Sequence, residues 1–169
     1  DKNPHGALLP QQITEFTNAG ICAGLASVNF ARDPEHMFSG FLAACSTYGS
    51  FSYLKYGMMR LFSQLAQDCE LKVGKLIYVA GHSGPETADD SRTHFGIFEP
   101  AVMQLFPRGQ IINLSFWDYN DVSAGYFAAA EIAAREKKVG IIAIEVARPD
   151  FPVADRSTFA DTGVEGAAK

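Results

Sequence analysis

A chain of 169 residues with 47% hydrophobic and 20% charged residues suits one globular domain with a real core, and excludes a disordered tract. Its net charge of −5 argues against nucleic acid or an anionic membrane surface as the main partner. Thirteen Phe and six Tyr exceed what one core needs and predict a buried subunit interface.

The opening stretch "DKNPHGALLPQQ" has neither the form of a signal peptide nor an initiator methionine, so we expect a processed product or a piece of a longer, cytoplasmic protein. A helix is expected from about Thr14 to Ser27, followed by the apolar run "MFSGFLAAC" (37–45). A second helix should span Ser50 to Asp68, ahead of "KLIYVAG" (75–81). Then come "GQIINLSF" (109–116), a helix from Asn120 to Lys137 and "VGIIAIEVA" (139–147). Asp118 and Asp121 resemble a capping box at the start of that last helix, and the "REKK" cluster (135–138) complements its C-terminal dipole. The four apolar runs are continuous rather than alternating, as parallel strands covered on both faces should be, and too short to span a bilayer. Strands alternating with helices predict an α/β fold: a doubly wound, mostly parallel sheet with helices on both faces. One domain should cover residues 1–155, and 156–169 a tail or linker. Cys22, Cys45 and Cys69 are odd in number and show no metal spacing, which predicts reduced, buried thiols.

In such sheets the working groups gather where loops leave the carboxyl ends of the strands, here after Cys45, Gly81, Phe116 and Ala147. The loop after Gly81 holds His82, Asp89, Asp90, Arg92 and His94, two of the four histidines in the chain. "GHSGP" superficially matches a hydrolase nucleophile turn, but Pro85 stands where the closing glycine belongs. The last histidine, His94, also lies in the same loop as Ser83 rather than on a later element, so Ser83 reads as a turn residue. A zinc or iron site from His82, Asp89 or Asp90, and His94 has suitable ligand types but matches no recognised spacing. The plain alternative is a polar loop whose histidines bond only to backbone.

Read together with four other segments, that loop resembles the transketolases. "HSGPETADDSRTH" (82–94) is similar to the family's substrate loop, with His82, Asp90, Thr93 and His94 on the pattern. "TYGSFSYLKYGMMRL" (47–61) places Thr47, Tyr48, Phe51 and Arg60 on a second motif, and "EFTNAGICAGLA" (15–26) places Glu15 on the family's activating glutamate. "FWDYNDV" (116–122) and "EVARP" (145–149) follow in the family's order, the latter supplying Arg148. Residues 89, 91, 92 and 95 depart from the pattern, which puts the donor sugar in question more than the carrier chemistry.

The resemblance implies the pyrimidine-binding domain of an enzyme that uses thiamine diphosphate to pass a two-carbon unit between sugar phosphates. It implies a homodimer and a pyrophosphate-binding domain or subunit that holds magnesium, since the Gly-Asp-Gly…Asn motif for that task does not occur in this sequence. Within it, Glu15 acts on the cofactor from an apolar pocket beside Ile13 and Phe16, and Tyr48 and Phe51 flank the ring. His82 and Arg148 grip the substrate phosphate, Asp90 a substrate hydroxyl, and His94 stands beside the reacting centre. Plainer roles exist for each: Glu15 as a first-turn glutamate favoured by the helix dipole, the aromatics as core, Arg148 as a surface partner of Glu145 or Asp150. Rival functions are a phosphoketolase, a 2-oxo acid decarboxylase component, or a non-catalytic domain of the same fold.

Overall fold

A computed structural model describes residues 8–10, 12–28, 41–68, 75–83, 99–116, 119–136 and 138–146. Four strands, β1 (Leu42–Tyr48), β2 (Lys75–Gly81), β3 (Ile111–Phe116) and β4 (Ile141–Val146), form one sheet in the order β1-β2-β4-β3, with every pairing parallel. The helices are α1 (Glu15–Ser27), α2 (Ser52–Asp68), the short α3 (Glu99–Met103) and α4 (Tyr119–Arg135). The expected α/β fold is present, and the three longer helices begin and end within two residues of their sequence-based bounds.

The two faces of the sheet carry separate cores. On one face Ala19, Cys22, Ala23 and Ala26 of α1 pack with Met59, Phe62 and Ala66 of α2 over Leu76, Tyr78 and Ala80 of β2 and Ile141 and Ala143 of β4. The α1 positions fall at helical spacing and are all small, so the helix can lie close to the strands. On the other face Ala129 and Ala133 of α4 cover Ile142 and Ile144, with Ile112 and Leu114 of β3 partly buried beside them. Gly125 leaves room there for the Phe116 ring, which a Cβ at that position would overlap at 2.2 Å.

The central strands β2 and β4 are buried along most of their length, whereas β1 alternates between exposed and covered residues. Continuous burial, expected for every strand, therefore holds only in the middle of the sheet. β1 is an edge strand with α1 on one side and its other face open to solvent at Leu42, Ala44, Ser46 and Tyr48. It also runs further than its apolar stretch predicts. Ser46, Thr47 and Tyr48 continue the ladder against Val79, Ala80 and Gly81, because β2 offers partners for three more residues.

Three polar side chains buried under α2 are paired. Ser52 bonds the Gly49 carbonyl at 2.6 Å and the Tyr78 hydroxyl at 2.5 Å, and Ser63 donates to Gln110 Oε1. Lys55, fully buried, donates to the Ser46 carbonyl at 3.1 Å and lies 5.6 Å from the centroid of the Tyr78 ring. Gly109 takes φ of +80° in the turn before β3, a conformation that favours glycine. The helix-capping role expected of Asp118 falls outside the described residues, as does the tail after Asp155. Among the described residues, no helix is long and apolar enough to cross a membrane.

Lys75, 5% exposed at the start of β2, donates to the Val139 carbonyl at 2.7 Å. Burial lowers its pKa to about 8 from 10.5. The folded chain then holds fewer protons than the unfolded chain between those values, so unfolding free energy should rise with pH across that window. Equilibrium denaturation from pH 7 to 11 is expected to show this rise, at up to ~1.4 kcal/mol per pH unit. In Lys75→Met the corresponding increment should be missing.

Candidate functional site at the carboxyl edge of the sheet

The pairing of β1 with β2 sets Tyr48 directly opposite Gly81, so the residues leaving these strands emerge side by side. After Gly81 the chain turns at His82, whose φ of +53° is left-handed and unfavourable for a residue with a side chain. The turn lays the imidazole against the Tyr48 ring, with centroids 4.4 Å apart. Tyr48 meets Phe51 edge to face at 6.2 Å, because the single 3₁₀ turn of Gly49–Phe51 brings the chain straight back into α2. An unfavourable backbone angle at the end of a strand is a pointer to function, since something must hold it there.

Glu15 enters the same edge from the opposite direction. It is the first residue of α1, and its Oε1 accepts a hydrogen bond from Thr47 Oγ1 at 3.1 Å. The carboxylate is half-buried, and the structure surrounds it differently from the expected apolar pocket. Ile13 is 93% and Phe16 58% exposed, so both turn to solvent rather than walling the acid. Tyr53 and Leu54, at the start of α2, are also exposed, and neither points into the core. Glu15 with Thr47 on the α1 side of β1, and Tyr48 with Phe51 and His82 at its other side, thus form two pairings at the same carboxyl end of the strand. Asp90, His94 and Arg148 lie outside the described residues, as do Asp89 and Arg92.

A second polar cluster, which sequence reading missed, lies beneath this edge. Glu145 on β4 is 5% exposed and accepts from Asn113 Nδ2 at 2.6 Å, from Ser115 Oγ at 3.2 Å and from Ser83 Oγ at 3.2 Å. Charge-assisted bonds from three donors are what a buried carboxylate needs. The Ser83 amide also donates to the Val146 carbonyl at 3.1 Å. Ser83 is therefore a turn residue, as its context predicts, and one that braces the backbone next to His82; its hydroxyl points to Glu145. The signal lay in the register: Ser115 pairs with Glu145, and Asn113 lies two residues back on the same face. An acid inside "IIAIEVA" facing Asn and Ser in "IINLSF" marks a buried polar network once the pairing is known.

Cys22 and Cys45 are free and line the same space between α1 and β1. The neighbouring Cys22 thiol and the Lys55 charge hold Cys45 below the ordinary thiol range, whereas Cys45 and burial push Cys22 up. Among the described residues no three His, Cys, Asp or Glu side chains gather as a metal-binding group.

No family model matches this chain, and no curated protein matches it significantly in sequence. Its structure is similar to that of a transketolase from Pichia stipitis, solved as a point mutant, with a TM-score of 0.50 at 23% identity. The match takes in 75% of this chain and 16% of the transketolase chain. The fold is transketolase-like. At that identity the likeness speaks for the fold alone, and this chain spans a small part of the enzyme it resembles.

The cluster around Glu145 makes a quantitative prediction. Glu145→Ala removes the acceptor shared by Asn113, Ser115 and Ser83; the first two are exposed and can turn to water, and only Ser83 is stranded, so unfolding free energy should fall by ~2 kcal/mol. Glu145→Gln keeps one acceptor oxygen, and the serine hydroxyls can rotate to meet its amide, so it should cost ~1 kcal/mol. Urea denaturation with an unchanged m-value checks the order of the two.

Proposed function

We propose that this chain is the pyrimidine-binding domain of a thiamine-diphosphate-dependent, transketolase-type enzyme that moves a two-carbon ketol unit between sugar phosphates. The observation that carries the reading is the Glu15–Thr47 hydrogen bond at the carboxyl end of β1, the same strand end at which Tyr48 meets Phe51 and His82. The transketolase-like fold supports it, as does the collinear order of the motifs.

The residues fit the cofactor on the protein's side. An aminopyrimidine needs a fixed hydrogen-bonding acid at its ring nitrogen and flat apolar surface along its face. Thr47 holds Oε1 of Glu15 and so orients the carboxyl, and the Tyr48 and Phe51 rings stand at the end of the same strand. When bound, the cofactor supplies an acidic ring carbon able to add to a ketose carbonyl, a capacity no amino-acid side chain offers. Glu15 holds the proton shared with the ring nitrogen, and Tyr48 and Phe51 keep water from the ring. His82, fixed by the left-handed turn, offers an imidazole donor to the substrate phosphate, a task shared with Arg148. Asp90 accepts from a substrate hydroxyl, and His94 stabilises charge or relays a proton at the reacting centre.

The same reading places the magnesium and diphosphate ligands on a pyrophosphate-binding domain or subunit, in a cytoplasmic homodimer. Exposed Ile13, Phe16, Tyr53 and Leu54 support it, because apolar side chains around the start of α1 and α2 offer a partner a surface to cover.

In the intact protein that contains this chain, Glu15→Gln should lower two-carbon transfer from a ketose phosphate by about 100-fold or more without changing Tm. An unchanged rate would remove the catalytic reading and leave a binding or assembly domain. Turnover of 2-oxo acids in place of ketose phosphates would move the assignment to a decarboxylase. The 169-residue chain alone should show no transfer, and activity from it by itself would contradict the need for a second domain.

A further inference from the structure

At the open edge of β1 the fold leaves a cavity of about 480 Å³ between the strand and α1. Leu9, Leu25 and Leu42 give it an apolar lining, and Cys22 and Cys45 both reach it. One comes from the helix and one from the strand, and both belong to the same packed cluster. Their spacing follows from the fold. Cys22 is two helical turns after Glu15, and Cys45 is two residues before Thr47, so each lies on the same face as its companion. Because α1 runs antiparallel to β1, the thiol pair forms a second rung below the Glu15–Thr47 bond.

The pair is chemically asymmetric. Cys45 is partly exposed, and Lys55 places its ammonium on the adjacent Ser46 carbonyl, 3.1 Å away. Cys22 is 7% exposed and reaches Cys45 from below. That is the arrangement of an attacking thiol with a resolving thiol at hand, and the cavity gives a small oxidant a way in.

We infer that Cys22 and Cys45 are a peroxide-oxidisable thiol pair that closes to an intrachain disulfide and clamps α1 to β1. The Cys45 thiolate attacks one oxygen of a hydroperoxide, the O–O bond breaks, and the departing oxygen leaves as water after taking a proton. The resulting Cys45 sulfenic acid is attacked by the Cys22 sulfur. The S–S bond forms, the S–O bond breaks, and the thiol proton leaves with the hydroxyl as a second water. Two thiols lose two electrons in all, and one hydrogen peroxide becomes two waters. The inference stands on the fold and does not depend on the proposed enzyme activity.

The test uses the full chain, reduced and then treated with stoichiometric hydrogen peroxide at neutral pH. Mapping without reductant should find one cross-link joining the peptides of Cys22 and Cys45, a mass loss of two hydrogens, and Cys69 still open to alkylation. The oxidised chain should melt about 5 °C or more above the reduced chain, and dithiothreitol should reverse the change. In Cys22→Ser the cross-link should vanish, and Cys45 should be captured as a sulfenic acid by dimedone. A disulfide through Cys69, over-oxidation of Cys45 with Cys22 still a thiol, or unreacted thiols would each overturn the inference.

Discussion

The register of β1 on β2 is the constraint on which the candidate site depends. Side chains alternate across a sheet with a period of two, so a slip of one residue would invert every β1 position. Thr47 would then turn away from α1 and lose Glu15, and Tyr48 would no longer stand opposite Gly81 beside His82. An edge strand with one open face is not held in register by burial alone. Buried polar ties supply what burial lacks. Lys55 reaches back from α2 to the Ser46 carbonyl, and Ser52 joins the Gly49 carbonyl to the Tyr78 hydroxyl on β2. Each bond has geometric demands that a slipped strand would violate, at the cost of a buried group left unpaired.

The turn at His82 is held by a comparable arrangement. A left-handed residue with a side chain costs about 1–2 kcal/mol and persists only where its neighbours fix it. Upstream, Gly81 ends a strand paired with β1; downstream, Ser83 is fastened twice, by its amide to Val146 and by its hydroxyl to Glu145. Glu145 is itself secured by Asn113 and Ser115. The position of one imidazole thus rests on groups from β2, β3 and β4, which explains why an acid sits within an otherwise apolar central strand.

The legible part of this architecture is the part written in continuous apolar runs. "KLIYVAG" occupies the observed bounds of β2, and "VGIIAIEVA" contains β4, because central strands bury both faces and have little choice of residue. Edge strands have more freedom. The carboxyl half of β1 is Ser46, Thr47 and Tyr48, a polar and aromatic segment whose strand character comes from its partner. Helix α3 has five residues and too few turns to show a period. Glu15, Tyr48, Phe51 and His82 could be named from motif resemblance; the fold pairs Tyr48 with Phe51 and His82, and Glu15 with Thr47. The Glu145 cluster could not be named that way, since it is composed of residues scattered over three segments and joined only by register. The reason Ile13 and Phe16 fail to enclose Glu15 is also physical. Phe16 follows the acid on α1, where only residues three or four apart share a face, and Ile13 lies before the helix begins.

That last geometry bears on how the site works. A carboxyl at a helix start, touched by one threonine and bordered by outward-facing Ile13 and Phe16, is half of an enclosure. Exposed apolar surface of this kind costs on the order of 25 cal/mol per Å² while it remains wet, and the cost is recovered when another surface covers it. Covering it would also shield the Glu15–Thr47 hydrogen bond from water, and a hydrogen bond is stronger where the local dielectric is low. In the proposed reading, a partner that buries Ile13 and Phe16 would complete the enclosure of Glu15.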